Sequence, residues 1–378
     1  FDYVFDGTNV SGYYPSQIAN SNLKWETTAQ WNVGMDVSFI DSRIKLTADW
    51  YLKDTHDLLL QATVPASSGY TSAMLNIGSM RNQGVELTAE FVPVKRENLT
   101  WNINFNIALN RNTVTSLVND QLSLLRTISW ETKFNNQYPY ITQVGKPSGM
   151  MYGYVYEGTY KMDEFEGGSV LKDGIPYMSS VGKNNVRPGD PKYMDVNRDG
   201  VIDEDDQSII GCGQPLHTGG FGTSLNFYGF DFNMFFSWSY GNDILNANRL
   251  YFENGTQSTQ INQLKTYNGR WTSENADSDI PRVGANGMFV YSSRVVEDGS
   301  FLKLRNVSLG YTLSRDVLRK IRFDTLRVYV SADNIVTFTR YSGPDPEVST
   351  KNSVLTPGFD WSAYPRAFGL TAGLQFTF

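Results

Sequence analysis

What this chain has least of is the equipment of most enzymes. It carries one cysteine, Cys212, and two histidines, His56 and His217. A lone cysteine cannot close an internal disulfide, and two histidines leave little scope for a zinc site or a histidine-based triad. Nowhere is there a run near the roughly 20 apolar residues that a membrane helix requires, and the mean hydropathy is −0.36. A helical membrane protein is excluded. Basic charge is also short, with 32 Lys and Arg against 39 Asp and Glu for a net charge of −7. With no Lys/Arg run to offset that balance, nucleic acid is a poor partner. No start methionine, signal h-region or cleavage site precedes Phe1, so the chain is expected to be the remainder of something longer.

What is present is alternation. Aromatic residues make up 14% of the chain and apolar residues 40%, totals shared by soluble β-sandwiches, propellers and membrane barrels. The faces have to decide. In the stretch FDFNMFFSWSY, residues Phe230, Phe232, Met234, Phe236, Trp238 and Tyr240 fall on one side of a strand. Asp231, Asn233, Phe235, Ser237 and Ser239 fall on the other. Opposite faces of that kind suit hydrocarbon outside and water inside, the pattern of a transmembrane β-barrel strand.

The same pattern predicts strands over about Leu23–Ile40 and from Ile44, with Trp31, Val33, Met35 and Val37 outward against Asn32, Gly34, Asp36 and Ser38. It predicts two more around Val85–Phe91 and Trp101–Leu109, where Asn102, Asn104 and Asn106 share a face that would pack badly in a sandwich core. Later come Gly220–Tyr228, the Phe230 strand, Val307–Leu313, Leu326–Ala332 and Phe368–Phe378. Short connections are expected after Ile40, Val94, Tyr228 and Leu313, and long ones after Leu60, Leu109, Tyr240 and Arg340. Residues 119–215 and 242–298 are the large excursions. Bacterial outer-membrane barrels have short periplasmic turns and long external loops, which orients the chain with its C-terminus in the periplasm. The fold class is therefore all-β, an antiparallel transmembrane barrel with long extracellular loops. Nine strands by this reading are an odd number with open edges, so more strands are expected to come from elsewhere.

One stretch carries ligand chemistry. Asp195, Asn197 and Asp199 stand at positions one, three and five of a calcium-type loop, Gly200 at the sixth, the Val201 carbonyl at the seventh and Asp203 at the ninth. Asp206 closes it at the twelfth, where glutamate is usual. These residues are the expected metal ligands, with calcium as a structural cofactor stapling an external loop; the alternative is a solvated acidic turn. Glu86 and Glu90 read as solvated lumen carboxylates, since nothing nearby supplies a nucleophile. Cys212 reads as inert, and the histidines as surface groups. The aromatics over Tyr138–Tyr160 are equally consistent with stacking on sugar rings and with a loop core.

Several segments together resemble the SusC/RagA family of TonB-dependent transporters, in its C-terminal half. They are Asn20–Thr27, the Asp195 loop after Gly189-Asp190, Gly241–Ile244, Arg270–Thr272 with Pro281-Arg282, Phe301–Asn306 with Leu309–Tyr311, Asp333-Asn334 and Tyr341–Glu347. The resemblance implies a barrel of about 22 strands, with plug, TonB-contacting segment and signal peptide upstream of Phe1. It also implies a SusD-like surface lipoprotein closing over the loops, TonB as the source of energy, and a glycan or peptide oligomer as the imported nutrient. A barrel that docks partner proteins without transporting is the other reading. A barrel enzyme would need a nucleophile and base that the sequence does not offer.

Overall fold

The computed structural model describes every residue except 1, 12–19, 64–68, 71, 256–260, 314–323, 352 and 378. Among the described residues one antiparallel sheet dominates. Its nine strands follow one another in chain order: β1 (Thr27–Phe39), β2 (Ile44–His56), β3 (Gly78–Arg96), β4 (Leu99–Leu117), β5 (His217–Phe227), β6 (Phe230–Tyr240), β7 (Phe301–Thr312), β8 (Thr325–Thr339) and β9 (Gly369–Thr377). No other strand intervenes in this sheet, and β1 and β9 form its two edges. The expected strand count, the alternation and the Phe230–Tyr240 boundaries match. The aromatic terminus Phe378 lies outside the described residues.

Register makes the faces continuous. Across the sheet Val33 sits opposite Trp50, Trp50 opposite Val85, and Val85 opposite Leu109. Phe105 meets Phe221, Phe221 meets Phe236, and farther on Leu309 meets Val330 and Val330 meets Ala372. Trp31 keeps 71% of its surface exposed and Leu370 68%, so this band is left bare by the chain itself, as a lipid-facing surface must be. At the long-loop end the band gives way to a bidentate pair, Arg81 to Asp54 at 2.7 and 2.9 Å. The opposite face is mostly polar, Phe235 being an exception. Close approach of strands sets one glycine: a Cβ on Gly219 would lie 2.3 Å from both the Asn106 carbonyl oxygen and the Trp238 ring.

Several boundaries differ from the sequence reading: β3 and β4 run longer than expected, so the long connection expected after Leu109 starts after Leu117, and two further differences concern β7. Strand β7 begins at Phe301 rather than near Val307, because a bulge leaves Arg305 unpaired between Leu304 and Asn306. That extra residue reverses the apparent phase of alternation, and it turns both Lys303 and Arg305 to the polar side. Residues 313–324 separate β7 from β8, so the connection expected to be short after Leu313 is a longer one, most of it outside the described residues.

The long connections are not patternless. Residues Ser123–Arg126, Tyr140–Gln143, Met150–Gly153 and Ser208–Cys212 make a small four-stranded sheet. Asp243–Asn246, Val296–Asp298 and Phe359–Asp360 make a three-stranded one, followed by helix α1 (Ala247–Phe252). Phe134, Tyr140, Met151, Leu245, Leu250, Tyr291, Val295 and Phe359 are buried together, so the excursions after β4, β6 and β8 share a single apolar core. Each such side chain contributes roughly 1.5–3 kcal/mol on burial. The loop layer therefore has the means to hold its own shape above the sheet.

Candidate functional site: the lumen wall and the loop layer

The polar face is an ordered wall of side-chain contacts. Tyr51 Oη donates to Asn110 Oδ1 at 3.0 Å, and Asn112 Nδ2 to Asn82 Oδ1 at 2.8 Å. Asn102 meets Ser224 at 3.1 Å, Thr47 donates to Asp36 at 2.6 Å, and Arg327 Nε donates to Asp231 at 2.8 Å. Lys45 and Glu90 pair at 3.2 Å with both side chains about half exposed, which makes Glu90 a solvated wall group worth little to stability. Glu86 lies opposite Asp49 on the same face and lines a hollow of about 500 Å³ with Gln30, Asn32, Tyr51, Lys53, Asn82 and Asn110. Nucleophile and base do not come together there, so the wall offers hydrogen bonds and charge rather than bond-breaking chemistry.

One ion network fastens the loop layer to this wall, and a second ties excursions together within the layer. Lys303 Nζ, on β7 and 3% exposed, lies 3.3 Å from Asp345 Oδ2 and 3.0 Å from Glu347 Oε2. Arg305 grips Glu347 with both Nη atoms, one at 2.7 Å, while its Nε donates to Ser237 at 2.6 Å. Arg366 adds a contact at 3.3 Å. Burial alone raises the Glu347 carboxyl, but the hydrogen bonds from Arg305 and Lys303 outweigh it and hold the group below the usual glutamate range. The second network centres on Glu253, fully buried, between Arg249 and Arg294. Neither network was expected from the sequence. The bulge at Arg305 hid the first, and the second joins residues from three separated stretches.

The Asp195 loop is folded tightly on itself. Asp195 accepts the Arg198 and Gly200 amides at 2.7 and 2.8 Å, Asn197 accepts that of Asp199 at 2.9 Å, and Asp199 that of Val201 at 2.8 Å. Gly200 has φ +90°, in the region that favours glycine. Asp203 caps the short turn that follows by accepting the Asp205 amide at 3.0 Å. Asp206 is wholly buried and accepts the amides of Val196, Asn197 and Asp203. The oxygen donors are of the kind and order that calcium takes. Among the described residues, however, no three His, Cys, Asp or Glu side chains converge as a metal cluster. Backbone amides hold the loop in the arrangement seen.

Other candidates resolve plainly. Tyr140, Tyr154 and Tyr160 are buried in loop cores, which favours the packing reading of that aromatic stretch; Tyr138 stays 44% exposed. His56 ends β2, while His217 begins β5, accepts from Trp238 Nε1 at 3.0 Å and stacks on Tyr240. Burial pushes the Cys212 thiol up, which suppresses the reactive thiolate.

Comparison with known proteins agrees with this architecture. Residues 1–335 match the family described as TonB dependent receptor-like, beta-barrel. TonB-dependent receptor P3 of Formosa agariphila is 33% identical over 99% of this chain, which spans 36% of that relative. TonB-dependent receptor SusC of Bacteroides thetaiotaomicron is 27% identical over 100% of the chain and 34% of its own length. The chain thus covers about a third of the curated relatives it matches. A solved structure of the RagAB peptide transporter superposes over the whole chain and 37% of its own with a TM-score of 0.80 at 24% identity, a likeness of fold. The chain therefore belongs to the TonB-dependent receptor β-barrels, a family of outer-membrane proteins whose members are receptors and transporters and not enzymes.

Proposed function

We propose that this chain supplies lumen wall and external loop layer to a TonB-dependent importer of oligomeric nutrients, glycan or peptide, working with a SusD-like lipoprotein. The observation that carries the reading is the pairing of a mostly polar face with a loop layer fastened above it through Lys303, Arg305 and Glu347. A wall built only to dock other proteins has no need of a wetted interior beneath a rigid cover. The C-terminus is assigned to the periplasmic side because β9 ends at the same rim of the sheet as the tight turns at Ile40–Arg43 and Tyr228–Gly229, opposite the long connections. Remaining strands, the plug and the TonB contact are assigned to other parts of the receptor.

The experiment uses the full-length receptor. Purified in mild detergent from its native membrane, it is expected to bring a surface lipoprotein with it, and deletion of its gene is expected to abolish growth on one class of oligomer. Growth unchanged on every oligomer tested, with a lumen closed throughout in the intact protein, would instead support the docking role.

We also propose that the loop takes a calcium ion as a structural staple, held by Asp195, Asn197, Asp199, the Val201 carbonyl, Asp203 and Asp206. The support is the donor order and the glycine turn at position six. Calcium would offset half the charge of the four carboxylates crowded into one turn. Asp199→Ala, or chelator, is expected to raise the rate of proteolysis between residues 180 and 215 about tenfold. Equal cleavage in all conditions rejects the ion and leaves the amide bonds as the loop's only support.

A further inference from the structure

A second polar hollow lies within the loop layer, where the segments 180–187 and 282–287 meet. Its volume is about 700 Å³, and it is lined by Ser180, Val181, Asn185, Arg187, Arg282, Asn286 and Gly287. Two guanidinium groups, two amides and a hydroxyl face it, with no carboxylate in the lining. In a chain of net charge −7 that composition is an exception.

The hollow is also built from below. Asp190, 2% exposed, accepts the Arg187 amide at 2.9 Å and the Asn286 amide at 3.2 Å, and its Oδ1 lies 2.8 Å from Arg282 Nε in an ion pair. One buried carboxylate thus fixes three of the lining residues. Asn286 Nδ2 donates to the Asn185 carbonyl at 2.9 Å, and Tyr193 Oη holds the Gly287 carbonyl at 2.9 Å. Arg187 Nη1 rests on the carbonyls of Asn184 and Val186, at 2.7 and 2.8 Å. Arg282 has its counter-ion in Asp190; Arg187 has only neutral partners among these contacts. Its charge is therefore the one available to a ligand.

We propose that this hollow is a binding site for an oxyanion borne by a saccharide, a uronate carboxylate or a sulfate ester, on an acidic oligosaccharide cargo. Planar guanidinium groups match such oxyanions with paired hydrogen bonds, while the amides and hydroxyl suit neighbouring sugar hydroxyls. A peptide would bring apolar side chains, and beyond Val181 the lining gives them nothing to bury against. The inference deepens the import reading and rests on it for the cargo, but its test is a binding measurement and stands apart from uptake.

Full-length receptor in detergent is titrated calorimetrically with a uronate trisaccharide, a sulfated disaccharide, a neutral trisaccharide and a tripeptide with its C-terminus free or amidated. At least one acidic saccharide is expected to bind, more weakly as salt rises, while the neutral sugar does not. Arg187→Gln is expected to weaken that binding about tenfold or more, and Arg187→Lys to recover part of it. Limited proteolysis of both variants confirms that the loop layer is intact. Acidic-sugar affinity unchanged by Arg187→Gln, no affinity for either acidic sugar, or binding of the tripeptide alone each overturns the assignment.

Discussion

Replacing Lys303 with methionine is expected to release residues 341–349 from the lumen wall, seen as a hundredfold or greater loss of amide protection there by hydrogen exchange. The physical reason is the asymmetry of buried ion pairs. Lys303 Nζ lies between Asp345 and Glu347 with 3% of the side chain exposed, and Asp345 is itself only 7% exposed. Removing the cation leaves acid that water cannot reach, a change that costs about 3–5 kcal/mol in comparable settings. Methionine keeps the apolar stem, so lost packing is a minor part of the effect. Arg305 and Arg366 still hold Glu347, which makes Asp345 the group left stranded. Asp345→Asn added to Lys303→Met is therefore expected to restore much of the protection, because the stranded charge is gone. Protection unchanged in the single variant would show that the segment is held by its neighbours and not by this network.

The same network gives a pH signature. Glu347 titrates below the usual glutamate range in the folded protein, so its contribution is fully present above that range. It is lost as pH falls through the lowered folded value. The loop should therefore stay fastened through neutral and mildly acidic conditions and loosen only in stronger acid, and Glu347→Gln should flatten that dependence.

The barrel was legible because a strand exposes its two faces residue by residue. Phe230–Tyr240 or Thr27–Phe39 needs no partner to declare which side meets lipid, and the polar side contradicts a sandwich core at Asn102, Asn104 and Asn106. The loop layer was not legible for the opposite reason. Its core joins Phe134, Leu245 and Phe359, residues far apart in the chain whose spacing follows no period, so nothing local predicts their contact. Strand β7 fell between the two cases. One bulged residue at Arg305 reversed the alternation, and the basic side chains that fasten the cover fell between the expected excursion and the expected strand, assigned to neither. The calcium-type spacing was visible because its donors are local. Three amides binding Asp206 are set by the folded turn, which spacing alone does not reveal.

Glu253→Ala is expected to produce the other large effect, a collapse of protection across residues 249–297 while the nine-stranded sheet keeps its own. Glu253 follows α1 and is fully buried, and its Oε2 lies 2.9 Å from Arg249 Nη2 and 2.8 Å from Arg294 Nη1, while Thr266 donates to its other oxygen. Arg249 continues to Glu297 at 3.3 Å, and Glu297 accepts the Ser342 amide and hydroxyl, each at 2.8 Å. The carboxylate thus joins the excursion after β6 to that after β8. Truncation leaves Arg294, whose side chain is 8% exposed, with a charge and no anion, again about 3–5 kcal/mol. Glu253→Gln separates the causes. It keeps the shape and the bond from Thr266 but not the charge, so an electrostatic fastening predicts that it fails nearly as badly as alanine. If glutamine instead preserves protection, the buried polar contacts and not the ion pairs hold the two excursions together, and the rigidity of the cover would have to be sought in its apolar core.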